Sequence, residues 1–559
     1  MRPSAKLAKI DPPPSETALF TIGMHAAAPE PDPVSWAEAL SGPHAEEWLS
    51  AGKVRFDALT ANGVWTLVDR TSVPSGRRIL QTKPVFKTKF HADGEFDKRS
   101  IRIAVKGYQQ RAGVDYHDIF SPVASYETTR ITLSIAAAED CDVIDAIDYQ
   151  AAFTQADIVD EVYIEQPERL ADGTDRVFRL VKSLEGCHQS GRRWYQLLAS
   201  TLESMGFVRV KSLPSCHLLT KDDVKVVIPV YVDDKLLICN SRVFADKLII
   251  EFKRRHKLRH LGPATSFLGM HLTRDRKNRT IELSQPAYVT KVLAKFGFAN
   301  AARPAKTPLP EGAVYSKAQS PQTDAERAAM RSIPYLEAVG VILFLANTTR
   351  PDLSYAAAVL SRYCSGPGPA HWTGVKHVFR YLQGTQDYRL RIGGKSTDLS
   401  AYSDAAYGDC KDDGKSTSGH VVFMDRGAVT WSCRKQPVVA QATMESELVG
   451  ANLAGRDVVH IRTAMDELGR PQLSPTTLFV DNQAAIKVAS EQDYMGRAKH
   501  MQLRWFWLRD QIDVGLVRVE YIPTAEQVAD IFTKPLGAEK HRRFCRMLGL
   551  YGKALDIAK

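Results

Sequence analysis

Two apolar runs, Val226-Val227-Ile228-Pro229-Val230-Tyr231-Val232 and Leu236-Leu237-Ile238-Cys239, are separated only by Asp233, Asp234 and Lys235. Runs that short and that apolar predict strands buried in a sheet, so the acidic pair has to occupy a hairpin tip. Asp is also a favoured turn residue, and the short string alone is compatible with a solvated turn. Two adjacent carboxylates in so apolar a setting, however, repel each other and call for a cation. A third acid, Asp148, closes the predicted strand from Val143 to Asp148. If the two strands are neighbours, three carboxylates converge, and hard oxygen donors of that kind suit magnesium. Two magnesium ions about 3.5–4 Å apart can activate a hydroxyl and stabilise a leaving oxygen in phosphoryl transfer.

A second set of acids lies in the last third. Leu399 to Asp404 reads as a strand ending in Asp404, and His420–Met424 with Ala428–Ser432 reads as a hairpin turning at Arg426-Gly427. Glu445 to Asn452 starts a helix, Leu478 to Asp481 is a short strand ending in Asp481, and a helix begins at Gln483. Val519 to Ile522 then precedes a helix containing Asp530. Taken singly, acids at strand ends and helix starts are usually turn or cap residues. Their distribution, one on each key element, is what singles them out.

Around these two sets the chain has the texture of an α+β protein of several domains. Its 559 residues, 44% hydrophobic and 25% charged, exclude wholesale disorder. Residues 1–34, rich in Pro and Ala, read as a disordered tail. Helical spacing begins at Trp36, and strands are expected around Trp65, Val85 and Ile101, with turns at Pro74-Ser75-Gly76 and Asp93-Gly94. Helices are expected over Thr128–Glu139 and Ser190–Gly206, and 301–324 reads as a linker before a helical block. Apolar stretches such as Val339–Ala346 fall short of the roughly 18–20 residues a membrane span needs, so no membrane partner is expected. The start, with Pro12, Pro13 and Pro14, lacks the apolar segment of a secretory signal. Eight scattered cysteines without a Cys-x-x-Cys pair fit a reducing, intracellular setting. A net charge of +10 is mild over this length and favours a polyanionic partner only modestly. The densest basic run, Lys253 to His260, could neutralise phosphates or simply form a solvated helix face.

Tyr231-Val232-Asp233-Asp234 with its apolar flanks resembles the catalytic hairpin of reverse transcriptases. Several further stretches resemble the polyprotein of copia-type LTR retrotransposons. They include Val105-Lys106-Gly107-Tyr108-Gln109-Gln110, Phe120-Ser121-Pro122-Val123-Ala124, Glu161 to Pro167, Phe267-Leu268-Gly269-Met270, Thr349 to Tyr355 and Ala529 to Leu536. They run from about Trp36 to the C-terminal end, in the order that family uses.

The resemblance implies a right-hand polymerase (fingers, palm and thumb) over 35–300 and a helical connection over 325–395. It also implies an RNase H-like α/β domain over 396–540 and a tail over 541–559. Asp148, Asp233 and Asp234 match the metal-binding carboxylates of the polymerase. Phe153 matches the aromatic that excludes a ribose 2′-hydroxyl, and Gln189 a glutamine that contacts the incoming nucleotide. Lys87, Lys89 and Arg102 fall in the fingers segment, where cations meet the triphosphate. Asp404, Glu447, Asp481 and Asp530 match the RNase H acids, with Glu447 preferred to Glu445 by the family's helix frame.

Magnesium, two ions per site, or manganese is the implied cofactor. RNA template, DNA primer, RNA–DNA hybrid and deoxynucleoside triphosphates are the implied partners, in the cytoplasm (within virus-like particles) or the nucleus. Departures are Pro84 in place of Trp, and Glu185-Gly186-Cys187-His188-Gln189-Ser190-Gly191 around Gln189. The histidine that some RNase H enzymes place before the last acid is replaced by Pro523-Thr524-Ala525-Glu526, and His500 is expected to be structural or to touch substrate. The resulting expectation is an RNA- and DNA-dependent DNA polymerase with ribonuclease H activity. Its alternative is a decayed or domesticated remnant that still binds nucleic acid.

Overall fold

The computed structural model describes residues 32–90, 96–300, 303–490 and 507–556. Asp93-Gly94, His500 and most of the expected N-terminal tail lie outside them. The chain is a mixed α/β protein forming two compact units, each assembled from separated segments. One comprises Glu30–Ser125 and Asp142–Ala264; the other includes Tyr126–Cys141 and Thr265–Lys559.

The first unit centres on a six-stranded antiparallel sheet. Its strand order is Leu258–Pro263, Val143–Tyr149, Asp234–Cys239, Val224–Tyr231, Cys216–Lys221 and Val208–Arg209. The near-continuous apolar runs require burial, and the helices Ser190–Ser204 and Arg242–Arg255 supply it. Trp194, Leu198, Leu202, Leu248, Ile249 and Phe252 pack on Ile147, Ile228, Val230 and Leu237. Each such side chain taken fully out of water is worth about 1.5–3 kcal/mol, which is what fixes the register of the strands between them. A four-stranded sheet (Trp65–Asp69, Arg176–Leu180, Tyr163–Ile164, Ile79–Leu80) has its own apolar cluster around Trp65, Leu80 and Phe178. The long ribbon Thr82–Phe90/Phe96–Val105 buries Phe86 and Ile101 against Trp36 and Trp48.

The second unit contains two five-stranded sheets. In the first, Ser266–Phe267, Met270–Asp275, Thr280–Ser284, Arg389–Gly393 and Leu550–Tyr551 are all antiparallel. The second runs Gly427–Lys435, Thr417–Met424, Leu399–Ala406, Thr476–Val480, Val517–Tyr521, and its last two pairings are parallel. The helix Thr443–Glu467 covers it. Helices Asp324–Arg331, Tyr335–Thr348, Ser354–Ser361 and Pro369–Gly384 occupy the stretch from Asp324 to Gly384. Within the stretch read as a linker, Thr307, Pro308 and Leu309 are buried.

One turn differs from its sequence reading. The hairpin after Met424 turns at Asp425-Arg426, with Asp425 at φ 51°, while Gly427 already pairs with Met424 in the strand. A Cβ on Gly427 would lie 2.6 Å from Ile392 Cα, so glycine is required there for close strand approach rather than for the turn.

Candidate active sites

In the first unit, strand pairing brings the three acids together. Asp234 is the direct cross-strand partner of Asp148, and Tyr231 pairs with Asp234 around a two-residue loop, Val232-Asp233. Val232 is held at φ 54°, a conformation costly for a β-branched residue. Two hydrogen bonds hold this turn: Trp194 Nε1 donates to Val232 O at 2.7 Å, and Tyr149 N donates to Asp233 O at 3.0 Å.

Burial, then the charges of Asp233 and Asp148, push the Asp234 carboxyl up to about 6. Burial and Asp148 also raise Asp233, while the Arg102 guanidinium pulls it back. Carboxylates this close disfavour one another's charged form, which adds to burial in pushing each up.

Behind the acids, strand alternation turns Lys235 into the core. It is fully buried, its Nζ donates to Tyr149 Oη at 2.5 Å, and it sits 3.6 Å from the Phe252 ring centroid. Burial holds its pKa well below the usual lysine range.

The other candidates separate into two groups. Lys87, Lys89 and Arg102 are exposed and share one face of the long ribbon, opposite the face that buries Phe86 and Ile101. Lys87 is paired with Asp32 at 3.4 Å. Phe153 follows the Asp148 strand in a short 3-10 turn and lies half-buried against the main core. Gln189 is placed differently. It is buried, donates to Asp115 O at 2.9 Å and to Asp160 Oδ2 at 3.2 Å, and accepts from Gln110 at 3.1 Å. Both N–H groups of its amide are thus spent in tying loop segments together.

In the second unit, Asp404, Glu447 and Asp481 place carboxylate oxygens within 4.8 Å of one another. Asp404 ends up there on the central strand and Glu447 on the covering helix. Glu445, two residues earlier, is instead occupied by Gln441 N at 2.7 Å. Burial and the neighbouring acids raise Glu447 to about 9. Asp404 is raised to about 7, chiefly by burial, with Lys534 opposing. Glu447 Oε2 is buried with no hydrogen-bond partner among the described residues. Hard oxygen donors with one acceptor unspent fit a divalent cation of the magnesium or manganese type.

Asp530, also buried, is held differently. Lys534 Nζ lies 2.5 Å from its Oδ1 and 3.6 Å from Asp404 Oδ2, and Lys540 Nζ lies 2.5 Å from its Oδ2. Thr533 Oγ1 donates to Asp404, and Thr524 Oγ1 donates to Asp481 at 2.8 Å.

Residues 62–311 match the family model described as reverse transcriptase (RNA-dependent DNA polymerase). Over 523 residues, 93% of its length, the chain is 33% identical to the retrovirus-related Pol polyprotein from transposon TNT 1-94 of Nicotiana tabacum. It is also 32% and 30% identical, over 90% and 95% of its length, to the Pol polyproteins from transposons RE2 and RE1 of Arabidopsis thaliana. Residues 62–311 thus match a reverse transcriptase family model, and most of the chain is similar to copia-type Pol polyproteins. The chain spans 39%, 34% and 35% of the length of these three relatives.

Within this chain, several residues that shape the two acid clusters escape sequence reading. Trp194 counts as one apolar position in a helical stripe, and nothing in the string announces its indole N–H as the support of the acid turn. Lys534 is legible in principle, since it follows Asp530 by one helical turn inside the Ala529–Leu536 motif. Lys540 and Thr524 carry no local signal.

Proposed function

We propose that the chain is an RNA- and DNA-dependent DNA polymerase with a ribonuclease H, the first activity residing in the unit with Asp148, Asp233 and Asp234, the second in the unit with Asp404. The observation that carries the polymerase reading is the direct pairing of Asp148 with Asp234 beside the Val232-Asp233 turn. Asp148, Asp233 and Asp234 would hold the divalent ions. Such ions, when bound, ease deprotonation of a primer 3′-hydroxyl and offset charge on the leaving pyrophosphate.

The chain's own residues do the rest. The ribbon face with Lys87, Lys89 and Arg102 receives the triphosphate, and Arg102, whose charge already reaches Asp233, is best placed to meet it. Phe153, rigid in its short turn, closes the sugar edge and favours deoxyribose. Gln189 serves the nucleotide site by holding the loops of Asp115 and Asp160 rather than by contact.

The second unit's strand order, two antiparallel then two parallel pairings under a long helix, is consistent with an RNase H-like fold. Asp404, Glu447 and Asp481 would hold an ion there, which supplies an activated water for cutting the RNA of a hybrid. Lys534 and Lys540 neutralise Asp530 and keep it oriented beside Asp404.

Primer extension on an RNA template and cleavage of an RNA–DNA hybrid, each with magnesium, test both halves. Asp233→Asn is expected to abolish incorporation and spare cleavage; Asp404→Asn does the reverse. A wild-type chain that binds hybrid but does neither is a nucleic-acid-binding remnant, and the enzyme reading then fails.

A further inference from the structure

The helix Arg242–Arg255 ends in Lys253-Arg254-Arg255, where cations favourably meet the negative end of the helix dipole. Arg254 and Arg255 also pair with Glu251, at 3.4 and 2.7 Å. Those two arginines are therefore explained by the helix itself.

The cavity beside them is not. A hollow of about 580 Å³ in the first unit is walled by Lys182, Lys253, Arg254, Arg255 and Lys257, with no carboxylate in its lining. Lys182 comes from the segment after the strand Arg176–Leu180, far away in sequence and no part of that helix. Among the described residues, Lys182, Lys253 and Lys257 have no carboxylate within ion-pair distance. Lys257 Nζ instead reaches a neutral acceptor, Asn62 Oδ1, at 2.5 Å.

The rim is built rigidly. Gln155 Nε2 donates to Gln150 O and to Lys257 O, both at 2.9 Å, and Gln155 Oε1 accepts from Lys257 N at 3.1 Å. That one side chain locks the helix exit to the loop that begins two residues after Asp148 and carries Phe153. Below it, His256 bonds Thr201 Oγ1 at 3.1 Å, and burial, with Lys235 and Arg255, lowers it to about 4, so it adds no charge at neutral pH.

Cations drawn from separate segments around one fixed hollow, without acids, match a polyanion. We propose that this cavity is a phosphate-binding site that seats the sugar–phosphate backbone of the nucleic acid engaged at the neighbouring Asp148 centre. The inference rests on the polymerase reading and adds to it where a strand is gripped. Lysine ammoniums, as point charges on flexible stems, neutralise successive phosphates without reading sequence. Free polyphosphate shares the same chemistry, and the test separates the two sources.

The experiment is fluorescence anisotropy of a labelled primer–template on the full chain, from about 50 to about 300 mM salt, read as the slope of log affinity against log salt. Each phosphate that is no longer neutralised flattens that slope by about 0.7–0.9. The triple variant Lys182→Gln/Lys253→Gln/Lys257→Gln is expected to flatten it by about 2 or more, while the triple Lys→Arg variant keeps the wild-type slope. Unchanged slope and affinity in the Gln variant overturn the proposal. Inorganic pyrophosphate that binds the wild type but not the Gln variant, with oligonucleotide slopes equal, overturns the backbone assignment. Asp233→Asn is expected to keep the salt slope even as incorporation ceases. Loss of chemistry and loss of grip are thereby distinguishable.

Discussion

At the scale of single residues, buried charge is the dominant theme. Lys235 is fully buried in an aromatic and aliphatic pocket, where burial holds its pKa well below the usual lysine range and its Nζ donates to the Tyr149 hydroxyl. An amine buried in apolar surroundings carries a desolvation cost of roughly 1–3 kcal/mol that an apolar side chain of similar volume does not. Lys235→Leu is therefore expected to raise the unfolding free energy within that range, read by urea denaturation. An equal or lower midpoint would mean that Lys235 supports the fold in a way its neighbours do not reveal.

The acids of the second unit act in the opposite direction with pH. Asp404 is raised from 3.8 to about 7 and Glu447 from 4.5 to about 9, so the folded chain binds more protons than the unfolded one between those limits. The carboxyl repulsion is absent below about pH 4 and fully present above about pH 9. Without divalent ions, stability should therefore fall across that window relative to Asp404→Asn/Glu447→Gln, and added magnesium should remove the difference. Thermal unfolding in chelator at several pH values checks it. Lys534 belongs to the same balance. Lys534→Met leaves Asp404 and Asp530 without their shared ammonium, so the metal-free melting temperature should drop and the rise on adding magnesium should grow.

At the scale of elements, the acid hairpin separates what is legible in the sequence from what is not. Two apolar runs around Asp233-Asp234 are enough to place strands and a tip, because buried strands leave few alternatives for four consecutive apolar residues. The partner strand follows from Asp148 closing its own apolar run. The support of the tip is hidden, since a side-chain donor 38 residues away leaves no periodic trace. Trp194→Phe removes that donor and leaves a buried carbonyl unpaired, at about 1–3 kcal/mol. The turn holding Val232 at positive φ then loses its tether, and incorporation should fall at least tenfold while hybrid cleavage in the other unit is unchanged. Equal losses in both activities would point to general unfolding instead. The hairpin at Asp425-Arg426 teaches the complementary lesson. Local pattern makes glycine the turn former, yet the turn tolerates Asp425 in the left-handed region, and Gly427 answers to a neighbouring strand that no local pattern could reveal.

At the scale of the whole molecule, the order of motifs is legible, but the assignment of one helix to a unit is not. Tyr126–Ala138 lies between segments of the first unit in sequence and belongs to the second. Eleven of its thirteen residues are buried, more than a one-sided surface helix would allow. Arg130 is buried with them, donating to Val429 O at 2.7 Å, Asn347 O at 2.9 Å and Thr348 O at 3.0 Å, and lying 4.0 Å from the Trp431 ring centroid. At the other end, Arg279 caps Ala138 O at 2.7 Å, and Arg470 grips Glu139 at 2.5 Å. The all-round burial is foreshadowed by Thr128 to Ala138 being almost wholly small or apolar, but a sequence cannot say which neighbours cover such a helix. A fragment cut after Asn300, the boundary that motif order invites, would keep this helix and discard Asn347, Thr348, Val429 and Trp431. Its apolar faces and the Arg130 guanidinium would be left without cover. Such a fragment is expected to aggregate or to be cut by protease between 126 and 141, whereas supplying residues 303–559 in trans should protect that stretch. A monomeric, protease-resistant 32–300 fragment would show that the first unit can shelter the helix by itself.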